Sequence, residues 1–350
     1  MISSLIAKYY EKVIYRLPKE PALPWFSVQY TQQDKSIALG MLKQLIVECG
    51  CSYNKVVVRA IELISEIIFS MPQPYDKISP VDLSLGMAQL SEYQRNDFLV
   101  LALFLTLSST QDIRVRVSVL LKHWKHFNVS DIIESVLQSL MKDEVSMIKK
   151  PHMLGEGYQN KMARLNGIKT CGWFGYRQQI FSMINNQPLA SLKKKFDFLN
   201  HLDSSTLGGA LRDLLRSGQL SLPGEPGGFA EFFLWHDISH VISGNNTDFS
   251  GELGANAFTA GFVERCKFRV LLFGLLQFNL GVPLAIVAAT SKNQFENEDT
   301  IKVYLHSLIS GSESKLNLLN WPVEVMIHDL KTDLNLVQEK YNIKPVPKAV

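Results

Sequence analysis

The sequence predicts an all-α protein, with a smaller helical module over residues 1–150 followed by a larger helical domain over residues 151–350. Three observations carry this reading. Apolar residues recur at helical spacing through 34–144, no alternating strand pattern of useful length interrupts them, and 350 residues exceed the usual size of one domain. With 46% apolar and 20% charged residues, the chain has the composition of a core-forming protein and not of a disordered one.

Within the first module, Ile37, Leu42, Leu45 and Ile46 make one apolar stripe and Val56, Ile61, Ile64 and Ile68 a second, while 98–107 is apolar apart from Thr106. Met71-Pro72-Gln73-Pro74 and Ser79-Pro80 separate helices, because proline ends one helix and pre-sets the first turn of the next. Ser79 is expected as an N-cap, with Asp82 three residues on, and Ser130 as the cap of a helix over 131–141. At the level of fold this module resembles the small helical bundles of the tellurite-resistance B type, without their acidic loop motif. Pro151, Gly155, Gly157, Gly167, Gly172 and Gly175 mark 149–176 as a linker and domain boundary. Beyond it, helices are expected over 189–199, 207–216, 229–243, 249–276, 283–289, 300–309 and 321–341.

Several function classes are disfavoured by composition. The net charge of +3, from 36 basic and 33 acidic residues, is too balanced to indicate a nucleic-acid partner. The basic run Lys193-Lys194-Lys195 reads as a solvated helix face or loop, with weak contact to anionic lipid headgroups as the lesser alternative. Cys49, Cys51, Cys171 and Cys266 have no framework spacing, so neither a disulfide scaffold nor a zinc ribbon is expected, and a reducing compartment fits. Lys8, Glu11, Lys12 and Arg16 interrupt the apolar residues of 1–20, which lacks the h-region of a secretory signal; a cytoplasmic location is expected. The run 270–290 approaches spanning length but contains Gly274, Gln277, Asn279, Gly281 and Pro283, so it reads as a buried or membrane-facing helix with a break.

The chemistry concentrates in Trp235-His236-Asp237-Ile238-Ser239-His240. Two imidazoles four residues apart lie one above the other on a helix, which suits one metal ion, although such a pair alone also describes two ordinary histidines. Asp237 lies about 100° around the helix from His236, so it reaches the ion from the flank or orients a ligand from behind. Gly244-Asn245-Asn246-Thr247 then forms a turn, Thr247 or Asp248 caps the next helix, and Glu252 sits on its first turn facing His240. His236, Asp237, His240 and Glu252 thus make a mixed nitrogen and oxygen set for one divalent ion, zinc or iron. Small residues from Gly251 to Gly261 leave the return helix open to close approach. Helix packing is one reading; the other is a groove for a long apolar ligand involving Gly254, Phe258, Gly261 and Phe262 and walled by the apolar segment from Val270 to Val287. A phosphohydrolase of the His-Asp type would need a further upstream histidine and a distant aspartate that no arrangement here supplies.

The pattern His-Asp-x-x-His, eleven residues, Glu resembles the signature of the coenzyme Q biosynthesis protein four (Coq-four) family of ubiquinone synthesis. The flanks 202–214 and 321–343 are similar to that family's upstream segment and closing helix, and the likeness covers about 158–347. It departs from the family in the length of the 1–150 module and in Leu222-Pro223-Gly224-Glu225-Pro226-Gly227-Gly228, which stands in place of an acidic stretch. The resemblance implies a metal- and lipid-binding helical domain with the ion on His236, Asp237, His240 and Glu252. It further implies action on the head group of a polyprenylated quinone precursor, by oxidative decarboxylation at the ring carboxylate carbon. A non-catalytic scaffold that binds lipid and organises the pathway's enzymes is the alternative. Implied partners are the polyprenyl lipid or quinone precursor and other quinone-biosynthesis proteins, at the periphery of the inner membrane; homo-oligomerisation stays open.

Overall fold

In a computed structural model the described residues, 2–15, 25–26, 29–127, 131–144, 158–263, 267–284, 289–316, 321 and 323–347, are helical with no sheet, as the patterning predicts. The expected Ser130 cap, the 149–157 part of the expected linker, Cys266 and Val287 lie outside these residues.

The first half contributes α1 (Ile2–Tyr15), α2 (Gln32–Glu48), α3 (Lys55–Leu63), α4 (Leu83–Gln89), α5 (Glu92–Leu107), α6 (Ile113–Lys122) and α7 (Asp131–Met141). Helix α3 runs on into a π turn, Ile64–Ile68. Capping boxes at Thr31/Asp34 and Ser91/Gln94 start α2 and α5 by satisfying otherwise orphaned N–H groups at both ends of each motif. Asp82, not Ser79, caps α4, its carboxylate accepting from Leu85 N–H at 3.0 Å. Ser79 stands too far upstream, with two residues outside any helix between it and that cap. Phe98 to Leu105 of α5 is buried all round, the signature of a central core helix.

The second half contributes α8 (Tyr158–Ile184), α9 (Ala190–Phe196), α10 (Leu207–Ser217), α11 (Leu234–Ser243), α12 (Phe249–Phe262), α13 (Lys267–Gly274), α14 (Glu298–Glu313), α15 (Val323–Leu330) and α16 (Leu334–Lys340). Four expectations are corrected. The glycine-bearing stretch from 158 onward is helix, not linker: Gly172 (φ 70°) only kinks α8, and Ser3 of α1 accepts the freed Trp173 N–H at 3.1 Å. The expected helix 249–276 is two, α12 and α13, with the end of α12 at Phe262 and Val263 extended. The expected helix 283–289 is absent at its described residues Pro283, Leu284 and Ala289. The closing helix is interrupted at Lys331–Asp333, where Leu334 N–H and Leu207 N–H bond across to Ser205 and Thr332 carbonyls.

One apolar core includes residues of both halves. Phe104 stacks on Tyr304 at 4.9 Å and meets Phe295 edge-on, Asn279 donates to the Leu107 carbonyl at 2.8 Å, and Arg59 grips Glu298 with two bonds of 2.9 Å. The run after Val270 is buried in this core. Its helix gives way to a π turn, Leu275–Asn279, and its two polar side chains serve the break. Gln277 accepts from Leu284 N–H and Asn279 from Phe295 N–H, so both satisfy backbone groups of the segments that follow the turn. No helix among the described residues is long and apolar enough to cross a membrane.

Candidate metal centre

Helix α11 presents its imidazoles because Leu234, Ile238 and Ile242 commit the opposite face to the core. Gly244 ends the helix in the left-handed conformation (φ 77°, ψ 19°) that costs glycine least, and Asn245 N–H closes the turn on the His240 carbonyl at 2.8 Å. Gln338 Nε2 and Val346 N–H bond the Ile242 and Ser243 carbonyls, so the last turn of α11 is anchored by the C-terminal segment. Asp248 then caps α12, accepting from Gly251 N–H at 2.7 Å, as the turn chemistry predicts. Glu252 is thereby returned opposite the histidine pair.

The structure brings together His236, His240 and Glu252, whose ligand atoms all lie within 4.8 Å of one another. His236 Nε2 stands 3.4 Å from one Glu252 oxygen and His240 Nε2 3.5 Å from the other. Two ligands each about 2.1 Å from a shared ion stand about 3.4 Å apart at a tetrahedral angle, so the spacing fits a single first-row ion. His240 supplies the decisive detail. Its Nδ1 lies 2.6 Å from the Asn246 carbonyl and must donate to it, which leaves Nε2 as the atom facing Glu252. That Nε2 is buried without a hydrogen-bond partner. A lone pair and a carboxylate facing each other across a gap longer than a charge-assisted hydrogen bond are suited to a cation between them.

Asp237 is buried on the adjacent flank and is not in this group. Burial raises its carboxyl, the charges of His236 and His240 lower it, and Glu252 raises it again, so it belongs to the field of the site. It lies in the first turn of α11, where the helix dipole favours its charge. Burial works against a charge on His236, but Glu252 and Asp237 outweigh it and lift that imidazole to about 9. Glu252 is pushed up by burial and pulled back, far below the ordinary carboxylate range, by both histidines.

The cluster opens into a cavity of about 570 Å³ walled mainly by apolar side chains, among them Phe229, Phe233, Trp235, Phe249, Phe273 and Phe278. Its size is that of a small-molecule site. From α12 it takes Phe249, Glu252, Asn256 and Thr259, a stripe at three- and four-residue spacing. The four residues considered for a lipid groove lie elsewhere. Gly254 faces Asn245 and α14, where a Cβ would stand 2.1 Å from Asn245 Oδ1 and 2.8 Å from Val303, and Gly261 faces α14, with Gly311 at 2.5 Å. Phe258 and Phe262 are buried beside each other, ring centroids 5.3 Å apart, and none of the four lines the cavity. The small residues of α12 therefore serve close packing on α14, and the opposite stripe faces the cavity. Sequence reasoning gave no site role to Trp235, Asn256 and Thr259, although the stripe that Asn256 and Thr259 extend on α12 was readable from Glu252 onward at helical spacing.

Of the other polar candidates, Lys195 pairs with buried Glu231 while Lys193 and Lys194 are exposed. His123 faces Glu48 at 3.1 Å, away from the centre. Cys49 and Cys51 are thiols, with Cys51 buried and the Cys49 thiol pushed up to about 12 by burial and its neighbour.

No protein-family model and no curated protein matches the chain.

Proposed function

We propose that this chain is a metal-dependent enzyme acting on the head group of a polyprenylated quinone precursor, the reading implied by its resemblance to the Coq-four family. One observation carries it: His236, His240 and Glu252 converge in a cavity walled mainly by apolar side chains. Such a site suits an amphiphile whose oxygen-bearing head meets the ion while its hydrocarbon lies along aromatic walls. The ion, when bound, would polarise the ring oxygens or carboxylate toward loss of carbon dioxide. Installing oxygen at the vacated carbon needs an external oxidant as co-reactant. His240, oriented by the Asn246 carbonyl, holds its ligand position, and the aromatic wall excludes water from the head group.

Elemental analysis of the purified protein is expected to return about one zinc or iron per chain, a stoichiometry set by one tetrahedral ligand cluster. A His240→Ala variant should lose it; full metal content in that variant would remove the ligand assignment. For the reaction, a strain lacking the gene should accumulate a carboxylated precursor, and unchanged quinone pools would sink the biosynthetic claim. The second reading is a non-catalytic carrier that presents such a lipid to partner enzymes, supported by the largely apolar lining of the cavity. Native mass spectrometry separates the two: a carrier retains lipid and converts none of it with metal restored.

A further inference from the structure

Past its kink at Gly172, α8 continues to Ile184 as a helix with two unlike faces. The inner face is fixed to the protein: Tyr176 packs on Phe232 at 4.9 Å, and the Gln179 amide donates to buried Glu231 at 2.8 Å while accepting from its N–H at 3.0 Å. The outer face carries Phe174, Arg177, Gln178, Phe181 and Ile184, all exposed. At about 100° per residue they fall within an arc of about 120°, so they form one stripe. Phe174, Phe181 and Ile184 are 76%, 64% and 68% exposed. Single apolar side chains are common on protein surfaces, but three aligned along one helix leave apolar area in water that a partner would recover.

Charge around the stripe is one-sided. Residues 158–196 hold seven basic residues and no acidic one, in a chain whose totals are 36 and 33. Glu11 of α1 takes Lys169 and buried Glu231 takes Lys195, but Arg177, Lys193 and Lys194 are exposed and form no ion pair among the described residues. Glu225, the carboxylate whose field reaches Lys193, is itself held by two 2.8 Å bonds from Arg216. The stripe also ends at the cavity. Met183, beside Ile184 on α8, and Leu220, 38% exposed, both line it. The segment after Leu220 is tied to the start of α9 by Leu189 N–H on the Gly224 carbonyl at 2.9 Å, which keeps this rim beside the end of α8.

We propose that the outer face of α8 from Phe174 to Ile184 is a docking surface for an anionic lipid bilayer, with the mouth of the cavity seated against the membrane. Phe174, Phe181 and Ile184 enter the boundary between headgroups and acyl chains, while Arg177, Lys193 and Lys194 meet lipid phosphates. Apolar side chains beside basic ones match the layered chemistry of such a surface, anionic outside and hydrocarbon within. A second copy of the chain fits less well, because a two-fold contact through this face would set its unpaired basic residues against their own copies. Passage of a ligand from the membrane to His236, His240 and Glu252 rests on the proposed function; the docking surface does not.

The test is cosedimentation of the full chain with phosphatidylcholine vesicles, either neutral or made anionic with phosphatidylglycerol to about one third of the lipid. Wild type should partition onto the anionic vesicles at least about tenfold more strongly, and high salt should erode the preference. Phe181→Asp and Ile184→Asp should each weaken binding at least about tenfold, and Arg177→Gln about fivefold. Leu85→Asp, at a site of matching exposure (66%) on α4, should bind as wild type does. All four side chains are exposed, so thermal melts of the variants should overlay that of wild type and show that folding is intact. Wild type that binds neither vesicle, equal binding to both, or a Phe181→Asp variant that binds undiminished overturns the proposal. So does a dimer in sedimentation that Phe181→Asp dissociates, since a second copy then covers the face. The assay needs no metal, so the ligand assignment at His240 stands or fails separately by elemental analysis.

Discussion

If the cluster holds the proposed ion, His236 and Glu252 make its affinity a function of pH, and the dependence can be worked from the metal-free site. Glu252, assisted by Asp237, lifts His236 to about 9 against the opposing effect of burial, so near neutrality this imidazole carries a proton that an ion must displace. Glu252 is held far below its ordinary value and stays ionised across the same range. Apparent affinity should therefore rise about tenfold per pH unit up to pH 9, about a hundredfold from pH 7 to pH 9, and level off above. The measurement is competition with a chromophoric chelator whose own pH dependence is known. Glu252→Gln removes the main partner that raises His236 and leaves burial, which lowers it and is the largest single effect, opposed by Asp237 alone, so the variant should bind weakly and with less slope above pH 7. Stability of the metal-free protein runs the other way. The raised His236 contributes fully below its ordinary 6.5 and loses that contribution as pH climbs through 9, while depressed Glu252 contributes above its ordinary 4.5 and loses it as pH falls. A wild-type affinity that is flat from pH 7 to pH 9 would refute the claim that His236 is both a ligand and a proton competitor.

Other perturbations test the frame around the site. Gly311→Ala would place a Cβ 2.0 Å from the Phe258 carbonyl oxygen, and chemical denaturation should show a loss of about 2–3 kcal/mol from the α12–α14 interface. A change under about 1 kcal/mol would mean those helices are not so close. Asp97, buried with Phe26 N–H and Tyr30 Oη bonded to its carboxylate, is raised by burial to about 7. The folded protein holds its proton more tightly than the unfolded chain, so wild-type stability should decline between pH 3.8 and 7 through this group; Asp97→Asn should remove that slope in pH-dependent melting. Arg59→Ala breaks the bidentate link to Glu298, but both side chains are well exposed, so double-mutant cycles should assign the pair about 1 kcal/mol or less.

Much of the candidate site is legible in sequence because its parts are local. Four-residue spacing puts His236 over His240, Gly244 supplies the left-handed turn, Asp248 caps the return helix, and these short-range rules suffice to bring Glu252 back to the pair. The all-helical fold is legible for the same reason, since a helical period is written in every few residues. What sequence could not decide is which face of an element meets which neighbour. Gly254 and Gly261 announce close approach, but only the packing of α12 on α14 shows that a helix fills it and that the cavity lies along Glu252, Asn256 and Thr259 instead. Gly172 reads as a breaker, yet contact with α1 carries the helix through it with a kink. Asp237 shares the motif but not the ligand cluster, because its angle around α11 takes it away from the gap between His240 and Glu252. The unmet bond of His240 Nε2 exists only in three dimensions, since a polar side chain lacks a partner only once the chain has folded around it.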